Sequence, residues 1–179
     1  MSGTTVELPP QDPMLQEVGR GIQAFALVET GAGFCFSSMM LPGDPQCSFA
    51  VLDAARHLET KLRIIDAVAA IALDDTLGPR WTNLTNRIRR SSGVRHKLAH
   101  WTVSHWPGIS STEDLSKVTV ALVPPLSSRS HMAVMWAPNE NHGDKPLFEH
   151  DLKAFHARCH ALFQELVTLG NDIKASKHS

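Results

Sequence analysis

The segment LFEHDLKAFHARCHALFQELVTLGNDIK, residues 147–174, carries the most regular apolar pattern in the chain. Its apolar positions recur three and four residues apart, at Leu152, Phe155, Cys159, Leu162, Leu166, Leu169 and Ile173. This spacing is typical of a helix that packs along its full length against another helix. We therefore predict a long final helix, from about Leu147 to Lys174, within a helical bundle.

Three further helices are predicted before it. The first extends from Met14 to about Met40, and the second from Pro45 to about Thr76 without an internal Gly or Pro. Because a short Pro- and Gly-containing connection joins them, we expect the two to pack antiparallel as a hairpin. The third helix is expected to begin near Gly78 and to end at Trp106, before Pro107 and Gly108.

Two short β-branched or apolar runs precede the final helix. Val118–Val123 and His131–Trp136 are separated by a Pro- and Ser-rich connection, as the two strands of a β-hairpin are. The predicted fold class is therefore all-α, an antiparallel up-and-down bundle of four to five helices with a small β-hairpin inserted before the last helix.

The chain is long enough to form one domain with a sizeable core, since it has 179 residues, of which 42% are hydrophobic and 20% charged. We expect a loose arm over residues 1–13, a single domain over residues 14–174 with an insert at residues 110–146, and a fraying tail over residues 175–179.

Several observations favour a cytoplasmic protein. The three cysteines form no CxxC pair and are expected to be reduced packing residues. The chain opens without the pattern of a signal peptide, and its most apolar segment, residues 24–41, is interrupted by Glu29, Gly31 and Gly33. No membrane contact is therefore predicted.

Positive charge is concentrated in one segment of the chain. Between Asp75 and Glu113 the sequence has no carboxylate and six fixed positive charges, at Arg80, Arg87, Arg89, Arg90, Arg95 and Lys97. Because the formal net charge of the chain is −1, the rest of it sums to about −7. This pattern indicates an anion-binding segment. It is equally typical of a helix face that contacts acidic residues elsewhere in the fold, and charge alone leaves both interpretations open.

The hexapeptide Arg95-His96-Lys97-Leu98-Ala99-His100 contains the residue types that act on a phosphodiester. A guanidinium binds a phosphate oxygen pair, and an imidazole transfers protons near neutral pH. Together they support attack by a ribose 2′-hydroxyl on its own phosphate without a metal. In the structural interpretation, Arg95 pairs with Asp66 or Glu59 and His100 caps a helix C-terminus.

Arg95-His96-x-x-Ala99-His100 resembles the Arg-x4–6-His motif of HEPN domains, a superfamily of helical nucleotide-binding and ribonuclease domains. The order of the predicted helices, with a variable insert before a closing helix, resembles the same family. The resemblance implies RNA or nucleotide binding, in some members as a metal-independent endoribonuclease of a defence or toxin system. It also implies a homodimer in which two motifs face each other, and in some systems an antitoxin-like partner protein. By position, Arg95 and His100 are the implied catalytic residues, with His96 in support.

The spacing of the motif places a condition on this mechanism. Residues five apart on a straight helix project about 140° from each other, so Arg95 is expected on the apolar side and His100 on the opposite side. The helix must therefore distort near Ser91-Ser92-Gly93, or end near His100, or a second subunit must complete the site.

Arg87, Arg89, Arg90 and Lys97 are the predicted RNA-binding residues beside the motif, where Trp101 and Trp106 either stack on bases or fill a core or dimer interface.

Two histidine pairs, His96/His100 and His156/His160, have the spacing of metal ligands but would need a third ligand, such as Cys159 or Asp151. We predict no metal site and no cofactor, and a metal-binding bundle is the third interpretation. The second is a non-catalytic helical dimer that binds a partner protein or a small anionic ligand.

Overall fold

The structure, a computed structural model, describes residues 9–40, 45–106, 118–125 and 145–177. Over these ranges it contains the helices α1 (Asp12–Met39), α2 (Pro45–Ala54), α3 (Leu58–Ala72), α4 (Leu77–His100) and α5 (Glu149–Ser176), and the strands β1 (Thr102–Trp106) and β2 (Thr119–Val123). The two strands pair antiparallel and precede the last helix. The predicted fold class is therefore confirmed.

The apolar stripe of α5 is buried as predicted. Each of its seven residues, from Leu152 to Ile173, is at most 2% exposed. Removing side chains of this size from water contributes about 1.5–3 kcal/mol each. At the start of the helix, the carboxylate of Asp151 accepts the backbone N–H of Phe148 at 3.0 Å, which satisfies a donor that the helix leaves free.

The chain divides into two compact units. One unit is formed by segments within Met1–Ile22 and Val94–Phe155. We call it the strand unit because it contains β1 and β2. Segments within Gln23–Gly93 and His156–Ser179 form the other, which we call the helical unit. The domain boundaries predicted from the sequence stay a prediction. Residues 1–8 of the predicted arm lie outside the described residues.

In the helical unit, small residues let α1 approach its neighbours closely. A Cβ atom added at Gly31 would lie 3.0 Å from Cβ of Leu166 on α5. The thiol of Cys35 donates a hydrogen bond to the backbone carbonyl of Leu166 at 3.1 Å. On the α2 side, a Cβ atom added at Gly33 would lie 3.0 Å from the ring of Phe49. Side chains of α2 and α5 therefore pack directly against α1 at these glycines.

The predicted second helix is wrong in one respect, because it is two helices. α2 ends at Ala54 and α3 begins at Leu58, after His57 adopts an extended conformation. A continuous helix would place buried Leu52 about 140° away from Ile65 in the buried stripe of α3. Because the helix is interrupted between Ala54 and Leu58, both helices bury apolar residues. No Gly or Pro marks the position of this interruption.

The predicted end of the third helix at Trp106 is also wrong. α4 ends at His100, and residues 102–106 form β1, which pairs with β2 in the register Thr102↔Val123 to Trp106↔Thr119. The strand is held from outside its own sequence neighbourhood, because the His105 ring lies 2.8 Å from the Pro9 carbonyl. Long-range pairing therefore overrides the local pattern that predicted a longer helix.

The first strand of the predicted hairpin is confirmed as β2, and its partner is β1. The second predicted strand, His131–Trp136, lies outside the described residues, as does most of the predicted insert. Leu122 of β2 also exchanges two backbone hydrogen bonds with Leu147, at 2.8 and 3.0 Å, which links the strand pair to the segment just before α5.

The closest helix approach provides a test of the fold. A Cβ atom added at Gly170 of α5 would lie less than 3.0 Å from the Phe34 ring of α1. We expect Gly170→Ala to lower the free energy of unfolding by about 1–3 kcal/mol, because the core must shift to admit the methyl group. Urea denaturation followed by circular dichroism measures the change.

Gly93 of α4 is the matched control, because nothing lies within 4 Å of a Cβ atom added there. Gly93→Ala should raise the free energy of unfolding by up to about 1 kcal/mol, since alanine favours the helix. Equal effects of the two substitutions would contradict the close packing of α1 on α5.

Candidate functional site

The end of α4, residues 94–101, presents the motif residues to solvent. Leu98 is 3% exposed and anchors this segment, with its Cδ1 lying 2.8 Å from where a Cβ atom at Gly21 would be. The absence of a side chain at Gly21 therefore provides the space that Leu98 fills. Around this anchor, the side chains of Arg95, His96 and His100 are exposed. The prediction that Arg95 lies on the buried side of the helix is wrong.

Two pairs of side chains stack along the final turn of α4. The ring centroids of His96 and His100 are 4.4 Å apart. The ammonium of Lys97 lies 4.4 Å from the centroid of the half-buried Trp101 ring, which is a cation–π contact. Of the two predicted alternatives for Trp101, the structure places the ring against Lys97 at the surface. The side chain of Trp106 lies outside the described residues.

The helix does not break before the two motif residues. α4 is α-helical through Ser91, Ser92 and Gly93, where the sequence allowed a distortion. On a regular helix, Arg95 and His100 project about 140° apart and are separated by about 7.5 Å along the axis. His100 is the last residue of α4. The sequence analysis required a distorted helix, a helix that ends near His100, or a second subunit, and the structure meets the second of these conditions.

Two of the predicted RNA-binding arginines are paired with carboxylates. Arg87 donates two hydrogen bonds to Glu165 of α5, at 2.5 and 2.7 Å. Arg89 donates to Glu59 at 3.1 Å and to Asp66 at 2.7 Å, both on α3. Either arginine would have to exchange its carboxylate for a phosphate in order to bind RNA. Their assignment to RNA stays a prediction.

The carboxylates proposed for Arg95 in the structural interpretation are thus used by Arg89. Arg90 and Arg95 are exposed, and within the described ranges neither forms an ion pair. Within these ranges, the α4 arginines without an ion pair are therefore Arg90 and Arg95, and Arg95 is the one nearest the end of the helix. Arg80, near its start, pairs with Asp172 at 2.8 Å.

Hydrogen bonding explains the shifted pKa values in this region. The two bonds from Arg87 lower the pKa of Glu165 and raise the pKa of Arg87. The bonds from Asp66 and Glu59 raise the pKa of Arg89. Each shift favours the charged form of its group, so the Arg87–Glu165 pair stays ionised over the physiological range.

A groove that the sequence did not reveal lies between α3 and α4 in the helical unit. Its volume is about 460 Å³, and its lining includes Asp66, Asp74, Asp75, Trp81 and Arg89. The Asp66 carboxylate accepts the Trp81 indole N–H at 2.8 Å as well as the Arg89 bond. Three carboxylates against one guanidinium make this groove unsuitable for a small anionic ligand. Contacts between α3 and α4 form this groove, and the sequence alone does not show which helices lie side by side.

Asp74 has a local role in the turn before α4. Its Oδ1 accepts the backbone N–H groups of Thr76 and Leu77, at 2.9 and 2.8 Å. These bonds satisfy donors at the start of α4.

The described cysteines differ in their surroundings. Cys35 and Cys159 are buried, and burial raises the pKa of the Cys35 thiol to about 12 and that of the Cys159 thiol to about 11. Both fit the predicted packing role. Cys47 is exposed, so the packing prediction is wrong for this residue.

The second histidine pair, His156 and His160, has ring centroids 4.6 Å apart. Within the described ranges, no group of three or more His, Cys, Asp or Glu side chains is arranged to hold a metal ion. None of the described helices combines the length and apolarity needed to cross a membrane. Comparisons with models of protein families, with curated protein sequences and with solved structures gave no match.

Asp66 provides a stability test for the α3–α4 contact. Trp81 is 2% exposed, so Asp66→Ala would leave its indole N–H without its acceptor and remove one partner of Arg89. We expect a loss of about 1–3 kcal/mol in the free energy of unfolding, measured by urea denaturation. Asp66→Asn keeps an oxygen for Trp81 and should cost less. An exposed control, Asp53→Ala, should change little; a loss equal to that of Asp66→Ala would contradict the assigned role.

The Arg87–Glu165 pair predicts a specific pH dependence. Because the pKa of Glu165 is lowered from its ordinary value of 4.5, the pair stabilises the fold above that pH and is lost as the pH falls through the lowered value. Its side chains are 36% and 49% exposed, so we expect about 0.5 kcal/mol near neutral pH and less in high salt.

The measurement compares wild type with Glu165→Gln by urea denaturation between about pH 7 and pH 3. The difference between the two proteins should shrink toward the acid end. Glu29→Gln serves as the control, because no ion pair of Glu29 is found in the described part of the chain. A difference that stays constant, or grows in acid, would refute the assignment.

Proposed function

We propose that this chain is a HEPN-like RNA-binding protein that cleaves RNA without a metal ion, at a site formed by the α4 ends of two chains. The observation that carries the proposal is the exposure of Arg95 and His100 at the end of α4. Both lie beside a buried anchor, Leu98, and neither is paired with a carboxylate within the described ranges. A motif used only for packing would have its arginine buried and paired.

The proposed chemistry uses each side chain for one task. The Arg95 guanidinium binds the non-bridging oxygens of the scissile phosphate and stabilises the charge that develops there. The His100 imidazole acts as acid/base: it accepts the proton of the attacking 2′-hydroxyl or donates a proton to the departing 5′-oxygen. The products are a 2′,3′-cyclic phosphate and a 5′-hydroxyl. No oxidant, metal or co-reactant is required.

Two features support a site shared between two chains. Arg95 and His100 of one chain project about 140° apart, so the simplest way to place both groups at one phosphate is across a two-fold axis. The strand unit also exposes apolar residues on α1, with Leu15 52% and Ile22 38% exposed. These two residues lie seven positions apart and share a helix face. A second copy that covered this face would bury apolar surface.

In the proposed complex, the positive charge that contacts RNA would lie at the end of α4 rather than along the whole helix. With Arg87 and Arg89 paired, Arg90, Arg95 and the histidines remain for phosphate contacts. We therefore propose a short RNA contact around one scissile phosphate. The defence or toxin role, the antitoxin-like partner and the cytoplasmic location rest on the family resemblance alone.

The second candidate function is a non-catalytic dimer that binds a partner protein. The exposed apolar face of α1 favours it. The groove between α3 and α4 does not favour the variant with a small anionic ligand, since its lining carries three carboxylates and one guanidinium. The non-catalytic dimer also predicts that Arg95 forms a buried ion pair, whereas Arg95 is exposed.

The catalytic proposal is tested by incubating the purified protein with unstructured and hairpin RNA in EDTA. We expect cleavage by wild type, with cyclic-phosphate ends detected by mass spectrometry. Arg95→Ala and His100→Ala should each slow cleavage by about 100-fold or more, as loss of a positioned acid/base or phosphate-binding group does. Exposed residues on α3 and at its N-terminus provide controls, Arg63→Ala and His57→Ala, which should retain full activity.

A mixing experiment tests the shared site. An equal mixture of the Arg95→Ala and His100→Ala chains should recover about a quarter of wild-type activity, because half of the dimers are mixed and each has one intact site of two. No recovery would reject a site shared in this way. Absence of cleavage by wild type, or equal cleavage by the His100→Ala variant, would reject the ribonuclease and leave the non-catalytic dimer.

A further inference from the structure

Two histidines lie one turn apart at the end of α4. The ring centroids of His96 and His100 are 4.4 Å apart, and the ring planes are tilted by 47°. Both side chains are exposed, and in the part of the chain that the structure describes no ring nitrogen of either has a hydrogen-bond partner. The two rings therefore stand together with their nitrogens available.

Two other histidines of the strand unit are placed differently. One ring nitrogen of His105 lies 3.3 Å from the Gln11 amide nitrogen and the other 2.8 Å from the Pro9 carbonyl. The His150 Nε2 lies 3.5 Å from the Asp151 carboxylate. Protein groups account for the setting of these two rings. His96 and His100 are brought together by their four-residue spacing on α4, and in the described ranges no protein group binds their ring nitrogens.

Two imidazoles in this arrangement match the geometry of a chelate. A divalent transition metal binds a ring nitrogen at about 2.0–2.1 Å, so two rings that share one ion have their centroids about 4–5 Å apart. The observed separation of 4.4 Å lies in this range. We infer that His96 and His100 bind one divalent transition-metal ion of the Zn²⁺, Ni²⁺ and Cu²⁺ class. Water completes the coordination, which makes this a site of modest affinity that follows the order of Cu²⁺ above Ni²⁺ and Zn²⁺.

The end of α4 contributes negative charge at this position. His100 is the last residue of α4, where unpaired backbone carbonyls carry the negative end of the helix dipole. Two fixed positive charges adjoin His96 in the sequence: the exposed Arg95 guanidinium and the Lys97 ammonium, which is directed onto the Trp101 ring. These charges oppose the binding of a cation and keep the affinity of the site modest. A neutral imidazole binds the ion through the lone pair of a ring nitrogen, so at a pH where both rings are neutral the ion displaces water and no proton.

The site has a regulatory consequence that rests on the proposed function. A ring nitrogen of His100 that is bound to a metal cannot carry a proton, so the ion stops the acid/base step. Arg95 is not a ligand and still binds phosphate. Metal binding is therefore expected to inhibit RNA cleavage while leaving RNA binding in place, and EDTA is expected to relieve the inhibition.

The first experiment needs no RNA. His156 and His160 have the same spacing, so binding is measured in the full-length His160→Ala chain, which removes that second pair. Calorimetric titration with ZnCl₂ at about pH 8, where free imidazole is neutral, should detect the α4 site. Adding His96→Ala or His100→Ala should weaken it at least tenfold, whereas adding His57→Ala should not. Circular dichroism verifies that each variant is folded, and Cu²⁺ electron paramagnetic resonance should show coupling to two nitrogens.

The second experiment adds RNA. Zn²⁺ at concentrations that fill the site should lower the cleavage rate of the His160→Ala chain at least tenfold without weakening RNA binding. The residual cleavage by the chain that also carries His96→Ala should no longer respond to Zn²⁺ at those concentrations. Equal Zn²⁺ affinity with and without His96→Ala would overturn the site, whether or not the protein cleaves RNA. Zn²⁺ binding that leaves cleavage unchanged would overturn the regulation, and a folded protein that binds Zn²⁺ but never cleaves RNA would fail only the proposed function.

Discussion

The close approach of α1 to α5 in the helical unit is the contact on which the other helix contacts of that unit depend. Gly31 and Gly170 lack side chains where the two backbones meet, and the Cys35 thiol bonds to the Leu166 carbonyl across the gap. A larger side chain at either glycine would push the helices apart. Because α5 is held in this position, its outer face can present Glu165 and Asp172 to the arginines of α4.

Those carboxylates change how the positively charged segment is interpreted. In the sequence, the six cations between Asp75 and Glu113 have no acidic neighbour and suggest one extended surface for an anion. In the fold, α3 and α5 supply acidic partners for Arg80, Arg87 and Arg89. The charge that remains for a ligand is therefore confined to the end of α4. Such surface pairs contribute little stability individually, and their larger effect is to restrict where a phosphate can bind.

The end of α4 combines a rigid support with unpaired functional groups. Leu98 is held against Gly21 in the strand unit, which fixes the last turn of the helix. Around this anchor, two imidazoles and a guanidinium face solvent without protein partners in the described ranges. Polar groups left free on a rigid element suit a binding or catalytic surface, because they lose little conformational freedom when a ligand arrives. The same exposure makes the histidine pair accessible to a metal ion.

The sequence by itself determined the helical class, the buried stripe of α5 and the strand at Thr119–Val123. Each of these depends on local periodicity, which is readable from residue order. Only the tertiary structure decided the break between α2 and α3, the change from helix to strand after His100, the exposure of Arg95 and the pairing of Arg89 with the carboxylates first considered for Arg95. These features depend on which distant residues meet: β1 forms because β2 and the Pro9 carbonyl are available to it, and an arginine is free or paired according to the helix opposite. Residue order along one helix does not contain that information, since the energies that decide it come from contacts between separate segments.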